Sequence, residues 1–262
     1  VAEANQHRIF LAFPGPTIGV PTAISLFETA SRKHEVKIGF SPYSIENFNN
    51  LWCRALTEAE KGLHTHFAML HSDVEPGDWW LDTLADEMDR LEAHIVSAVI
   101  PKKDHTGCCS CGVGDPSNPQ RVWRAVTMQE LFGLPETFNA ADFGYPGYPL
   151  LFNHGCMLID LRDGRFFRTD ERGRLLTWFK FASEYGRVED GSFDCLSCRS
   201  EDYWFAQQAH NLGANCYCTR KVPLYHTGAH RFSNQRPWGQ WKVDEGNADL
   251  WRDSQKLAEA AA

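Results

Sequence analysis

His66-Phe67-Ala68-Met69-Leu70-His71-Ser72-Asp73-Val74-Glu75-Pro76-Gly77 decides the fold. An apolar run from His66 to Leu70 ends abruptly in a polar segment and a Pro-Gly turn. Such a run reads as a buried parallel strand. Asp73 and Glu75 follow it, one residue apart, and point to the same side of the turn. Hard divalent cations want oxygen ligands of this kind and keep positions for phosphate oxygens. Taken alone, the pair also reads as a solvated acidic turn.

Other strand and helix patterns stand on both sides of it. Ile9 to Phe13 is an earlier apolar strand ending at Pro14-Gly15-Pro16, followed by a helix from about Thr22 to Arg32. Glu35 to Ser41 reads as a second strand. Ser44 stands where it can cap the next helix, whose Phe48, Leu51, Trp52, Ala55, Leu56 and Ala59 make one apolar face, with Gly62 closing it. Trp79 to Glu92 reads as a helix, with one of Trp79 and Trp80 in the core and one at the rim, and His94 to Ile100 as a fourth strand. Strands alternating with helices imply βαβ units and an α/β fold with a mainly parallel central sheet flanked by helices. Ligands of such sheets sit at the carboxyl ends of the strands. Pro14 to Gly19, His71 to Gly77 and the chain from Pro101 onward lie there.

The second half is less regular. Lys102 to Gln120 reads as a long loop, Val122 to Thr127 as a strand, Met128 to Phe132 as a short helix, and Cys156 to Leu161 as an apolar strand. Ser200 precedes a helix from Glu201 to about Leu212; Asn215–Arg220 and Val222–His226 read as short strands, and Asn247–Ala262 as a terminal helix. Without a repeat or a linker, residues 1–262 read as one domain. Residues 1–100 form one half, 101–230 a second, and 231–262 an extension.

Composition narrows the function. The 262 residues are 43% hydrophobic, enough for a substantial core, which excludes disorder as the main state. A net charge of −8, from 26 basic and 34 acidic side chains, argues against broad electrostatic binding to nucleic acid. Lys102, Lys103, Arg121, Arg124, Arg162, Arg165 and Arg168 still allow a local basic strip. No apolar run is long enough for a membrane helix, and Val1 to Arg8 does not read as a signal peptide. The nine cysteines are clustered rather than evenly spaced, which favours a reducing, cytoplasmic compartment over a disulfide scaffold. Cys108-x₂-Cys111 and Cys195-x₂-Cys198 together offer four thiolates, a set that suits structural Zn²⁺; free thiols and disulfides remain alternatives.

In order along the chain, these segments resemble the GT-A fold of glycosyltransferases, especially the family-2-type group and its phage and bacterial relatives. The resemblance rests on short motifs spread from Ile9 to Gly228: Pro14-Gly15-Pro16, His71-Ser72-Asp73, Pro101-Lys102-Lys103, Asn153-His154-Gly155 before an apolar strand, Ser200-Glu201-Asp202 opening a helix, and Leu224-Tyr225-His226-Thr227-Gly228. His71 departs from the family's Asp-x-Asp pattern. The resemblance implies a metal-dependent hexosyltransferase that moves a sugar from a nucleotide-diphosphate donor to a hydroxyl. Residues 1–100 would then be the nucleotide-sugar half and 101–230 the acceptor and catalytic half.

Carried over residue by residue, the resemblance implies Mn²⁺ or Mg²⁺ on Asp73, Glu75 and His226. It implies a donor site of Pro14, Pro16, Thr17, Arg54, Ser72, Asp73, Lys103 and Gly155. Asn153, His154 and Trp204 would face the acceptor, and Asp202 and Glu201 would be catalytic. A carboxylate there can take the acceptor's proton; acids in a helix's first turn also serve simply to stabilise its dipole. The acceptor is a glycan or a hydroxymethylated base in phage-type DNA, the latter in an infected bacterial cell. Two other readings stand beside this one: a zinc-stabilised binding module on a degenerate GT-A core, and a nucleotide-sugar nucleotidyltransferase. No dinucleotide-binding glycine motif, phosphate-binding loop, zincin motif or hydrolase elbow competes.

Overall fold

A computed structural model describes residues 7–15, 22, 33–41, 43–115, 122–187, 191–228 and 230–239, with the side chains at 33, 122, 123, 184 and 194–199 outside the description. The helices expected after Thr22 and from Asn247, and the expected donor residues Pro16 and Thr17, lie outside the described residues.

The centre is a seven-stranded sheet. Its strands are β1 (Arg8–Phe13), β2 (Lys33–Ile38), β3 (His66–Leu70), β5 (Ile95–Ala98), β8 (Thr137–Phe138), β10 (Cys156–Asp160) and β13 (Cys216–Thr219), in the order β2-β1-β3-β10-β5-β13-β8. β1 pairs in parallel with β2 and β3, and β5 with β13. β10 runs antiparallel between β3 and β5, and β8 antiparallel at the edge. The fold is therefore mixed α/β with a mostly parallel central sheet. Three small sheets flank it. β4 (Val74–Pro76) pairs with β14 (Leu224–Thr227), which also pairs with β15 (Arg231–Ser233). β6 (Cys108–Gly114) lies between β7 (Val122–Thr127) and β9 (Leu150–Leu151). β11 (Ala182–Arg187) and β12 (Phe193–Arg199) form a hairpin.

The helices are α1 (Ser44–Glu60), α2 (Trp80–Leu91), α3 (Met128–Leu131) and α4 (Glu201–Asn211). α1 buries Phe48, Leu51, Trp52, Ala55 and Leu56, the stripe its spacing announces. Its cap position is Tyr43, and Ser44 is already helical. Trp80 is in the core and Trp79 is exposed, at the cap position of α2. Thr127 and Glu130 form a reciprocal capping box at α3. The segment read as one long loop after Pro101 carries β6, and the hairpin β11–β12 also departs from the sequence reading.

The two faces of the sheet bury separate clusters. On one face Trp52 is the hub: its ring meets Phe67, Phe205 and Phe166 edge-on at 5.1, 5.4 and 5.9 Å, and its indole N–H donates to Thr177 O at 3.0 Å. α1, β3, α4 and the chain before β11 are thereby joined through one side chain. On the other face α2 packs Trp80, Leu81, Leu84 and Met88 against Leu11, Val96 and Leu158. Glu87, buried on α2, receives Arg90 and Lys221, each at 2.6 Å, and the Thr137 hydroxyl. No helix among the described residues is long and apolar enough to cross a membrane.

Trp52→Ala is expected to cost about 3–5 kcal/mol, as for a large aromatic removed from a packed core, read from the denaturant midpoint. Burial raises the Glu87 pKa, but its hydrogen bonds with Arg90, Lys221 and Thr137 outweigh that and hold it at about 2, against an ordinary 4.5. The folded value lies below the unfolded one, so this stabilisation is complete above about 4.5 and is lost as pH falls towards about 2. Glu87→Gln should lower stability at neutral pH and flatten the acid-unfolding curve across that window.

Candidate functional site

Several of the candidate side chains gather where the parallel strands end. His71 follows β3 and Pro101 follows β5. β10 runs the other way, so its beginning reaches the same edge: His71 N donates to Gly155 O at 2.9 Å. The pairing of β14 with β4 sets His226 opposite Val74 and Tyr225 opposite Glu75, and Thr227 N donates to Asp73 O at 2.8 Å.

Asp73 and His226 meet through this pairing. His226 Nε2 is 3.6 Å from Asp73 Oδ2, and Lys103 Nζ reaches the same oxygen. Burial raises the Asp73 pKa, but the hydrogen bonds from His226 and Lys103 more than offset it and hold the carboxyl well below the usual range. His226 Nδ1 lies 2.7 Å from Pro101 O. A carbonyl only accepts, so Nδ1 donates to it, and this turns Nε2 toward the Asp73 carboxylate. That orientation by a backbone carbonyl is how metal-binding imidazoles are commonly held. Asp73 and His226 therefore fit a divalent cation.

Glu75 does not join them. It is buried, accepts from Thr227 Oγ1 at 2.6 Å and pairs with Arg231 at 2.5 Å, which commits its carboxylate to β14 and β15. Arg54 also lies elsewhere. It pairs with Glu58 at 2.7 Å, beside His64, before β3 begins rather than where it ends. Ser72 O accepts from Thr22 Oγ1 at 3.0 Å, and Pro14 ends β1 at the same edge as His71.

The loop before β10 and the start of α4 form a second group. Asp202 accepts from His154 N at 3.1 Å and from Asn153 Nδ2 at 3.2 Å, and faces His154 Nδ1. Asn153 Oδ1 in turn accepts from Gly155 N at 2.7 Å. Ser200 occupies the cap position of α4 without a side-chain hydrogen bond, and Asp202 of its first turn carries the polar contacts to the loop. His154 is fully buried between Phe48 and Phe179, with ring centroids at 4.6 and 4.9 Å, and burial drives its pKa well below the ordinary value. His71 stacks on Phe48 at 5.2 Å, and burial lowers its pKa to about 4, so at neutral pH it is an uncharged ring. Glu201 has its pKa raised by burial. Trp204 lies under Lys180 Nζ, 4.9 Å from the ring centroid.

The cysteine pairing differs from the sequence spacing. Cys109 Sγ and Cys111 Sγ are 3.0 Å apart in the core, and Cys111 also meets Cys218, while Cys108 turns to Thr106. Burial pushes the Cys108 thiol up to about 11 and that of Cys109 well above its ordinary value. The backbone of Cys195 and Cys198 lies in β12, and their side chains are outside the description. Arginines of the expected basic strip are neutralised: Arg124 by Glu130, Arg162 by Asp160 and Arg165 by Asp163.

No family model matches the chain, and no curated protein matches it. A solved structure described as "Crystal Structure of A197 from STIV" is similar in fold. It covers 90% of this chain and 96% of its own, with 12% identity and a TM-score of 0.50. At that identity the likeness is one of architecture.

Gly155 has no room for a side chain: a Cβ would stand 2.8 Å from Asn153 Oδ1 and 3.2 Å from His71 Nδ1. Gly155→Ala should therefore cost about 1–3 kcal/mol by thermal or chemical denaturation, and should separate the loop from His71.

Proposed function

We propose that this protein is a metal-assisted glycosyltransferase of GT-A type, taking a sugar from a nucleotide-diphosphate donor to a hydroxyl acceptor. The observation that carries the reading is His226, fixed by Pro101 O and turned with Nε2 on Asp73 at the carboxyl edge of the sheet. Ligands of such sheets bind at that edge. A Mn²⁺ or Mg²⁺ held by Asp73 and His226 would supply positive charge for the departing diphosphate.

The chain's own residues set the rest. Lys103, against Asp73, adds a fixed positive charge beside the diphosphate's place. Gly155 lets the loop before β10 pack directly against the uncharged His71, which fixes that loop beside the donor's place. The loop Asn153–Gly155 and the first turn of α4 form the acceptor side. Asp202 holds that loop, and the Glu201–Asp202 pair is where the hydroxyl's proton goes. The net charge of −8 and the neutralised arginines favour a glycan or small-molecule acceptor over DNA.

A panel of nucleotide-diphosphate sugars tested by thermal shift with and without Mn²⁺ is decisive. One nucleotide family should stabilise the protein by about 2.7 kcal/mol at 100 times its dissociation constant. The effect should require Mn²⁺ and vanish in Asp73→Ala. Turnover should release a nucleoside diphosphate. Release of sugar 1-phosphate would instead make the protein a nucleotidyltransferase, and silence across the panel would leave the binding-module reading.

A further inference from the structure

Beside the donor site lies a partly buried cluster that no lysine or arginine among the described residues pairs with. His154, Glu201 and Asp202 each offer a ligand atom, and these atoms lie within 4.8 Å of one another. His154 has no exposed surface; its Nδ1 is set against Asp202 Oδ1, and its Nε2 makes no hydrogen bond. Glu201 Oε2 is equally buried and makes none. Asp202 takes neutral donors, the His154 N–H and the Asn153 amide. Among the described residues, no lysine or arginine pairs with either carboxylate. Buried carboxylates are stable when a cation, a metal or a proton compensates them.

We propose that His154, Glu201 and Asp202 bind a divalent cation, separate from the one at Asp73 and His226. One imidazole and two carboxylates suit a metal of borderline hardness such as Mn²⁺ or Zn²⁺. The helix dipole at the start of α4 opposes a cation by a fraction of the attraction that two carboxylates supply. The ion joins the loop before β10 to the first turn of α4, drawing one ligand from the loop and two from the helix. An acceptor hydroxyl approaching the pair would meet a Lewis acid there, which eases loss of its proton. The binding claim itself does not rest on glycosyl transfer.

The test titrates the metal-stripped full chain with Mn²⁺, counting free ion by electron paramagnetic resonance. Mn²⁺ is hard enough to pass over the cysteines. Wild type should bind two ions and Asp73→Ala one. In the Asp73→Ala background, Glu201→Gln and His154→Gln should each weaken the remaining ion at least tenfold, and the Mn²⁺-induced rise in melting temperature should disappear. Circular dichroism checks that each variant is folded, and Glu201→Gln preserves the shape of the side chain if His154→Gln does not fold. One ion in wild type that Asp73→Ala abolishes overturns this site and leaves the donor site standing. One ion that survives Asp73→Ala and is lost in Glu201→Gln supports this site and counts against the donor site. An ion indifferent to Glu201→Gln in the Asp73→Ala background overturns the proposal and leaves a proton shared by the two carboxyls.

Discussion

The direction of β10 is the constraint on which the site depends. Between β3 and β5 the sheet accepts a strand running backwards. Its first residues, not its last, therefore arrive at the edge where the parallel strands finish. That reversal puts Asn153, His154 and Gly155 beside His71. A parallel strand in the same slot would send this loop to the far end of the molecule. The hydrogen bonds from His154 N and Asn153 to Asp202 then dock α4 on the loop, and Phe205 of α4 packs into the Trp52 cluster behind it. Core and site share one helix.

Two kinds of polar arrangement coexist at this edge. Around Asp73 the charges are matched, with Lys103 and His226 beside the carboxylate. Around Glu75 they are also matched, by Arg231, but far enough inside β4 and β14 to serve pairing rather than ligand binding. Around His154 the ring is buried among phenylalanines, and its Nε2 and Glu201 Oε2 make no hydrogen bond. Low dielectric raises the stakes of the third arrangement most, because an unpaired polar group there has no water to turn to.

The parallel strands and α1 and α2 are legible in the sequence because their residues repeat with the period of the element. Phe48, Trp52 and Leu56 announce α1 without any tertiary information. β6 is hidden by its Cys-Cys-Ser-Cys-Gly run, and β11 by Gly186 and exposed polar positions, so their strands depend on partners rather than on local pattern. Asp73 and the Glu201–Asp202 pair stand out through position after a strand or before a helix. His226 pairs with Asp73 only because β14 lies on β4, and no local spacing could show it. His154 carries no signal of its own beyond the glycine after it. Glu75 and Arg54 are taken up by Arg231 and Glu58, and a carboxylate or guanidinium in sequence does not reveal which salt bridge will claim it.

Among the cysteines whose side chains are described, Cys53 is exposed on α1 while Cys108, Cys109, Cys111, Cys156, Cys216 and Cys218 are buried. The molecule thus carries its own clock. An alkylating reagent can reach Cys53 in the folded chain, and each of these six buried sulfurs becomes available only when the element around it opens. Cys156 lies in the central sheet and Cys109 in a flanking one. The order in which mass is gained after brief exposure would therefore time the parting of the small sheets against the loss of the centre.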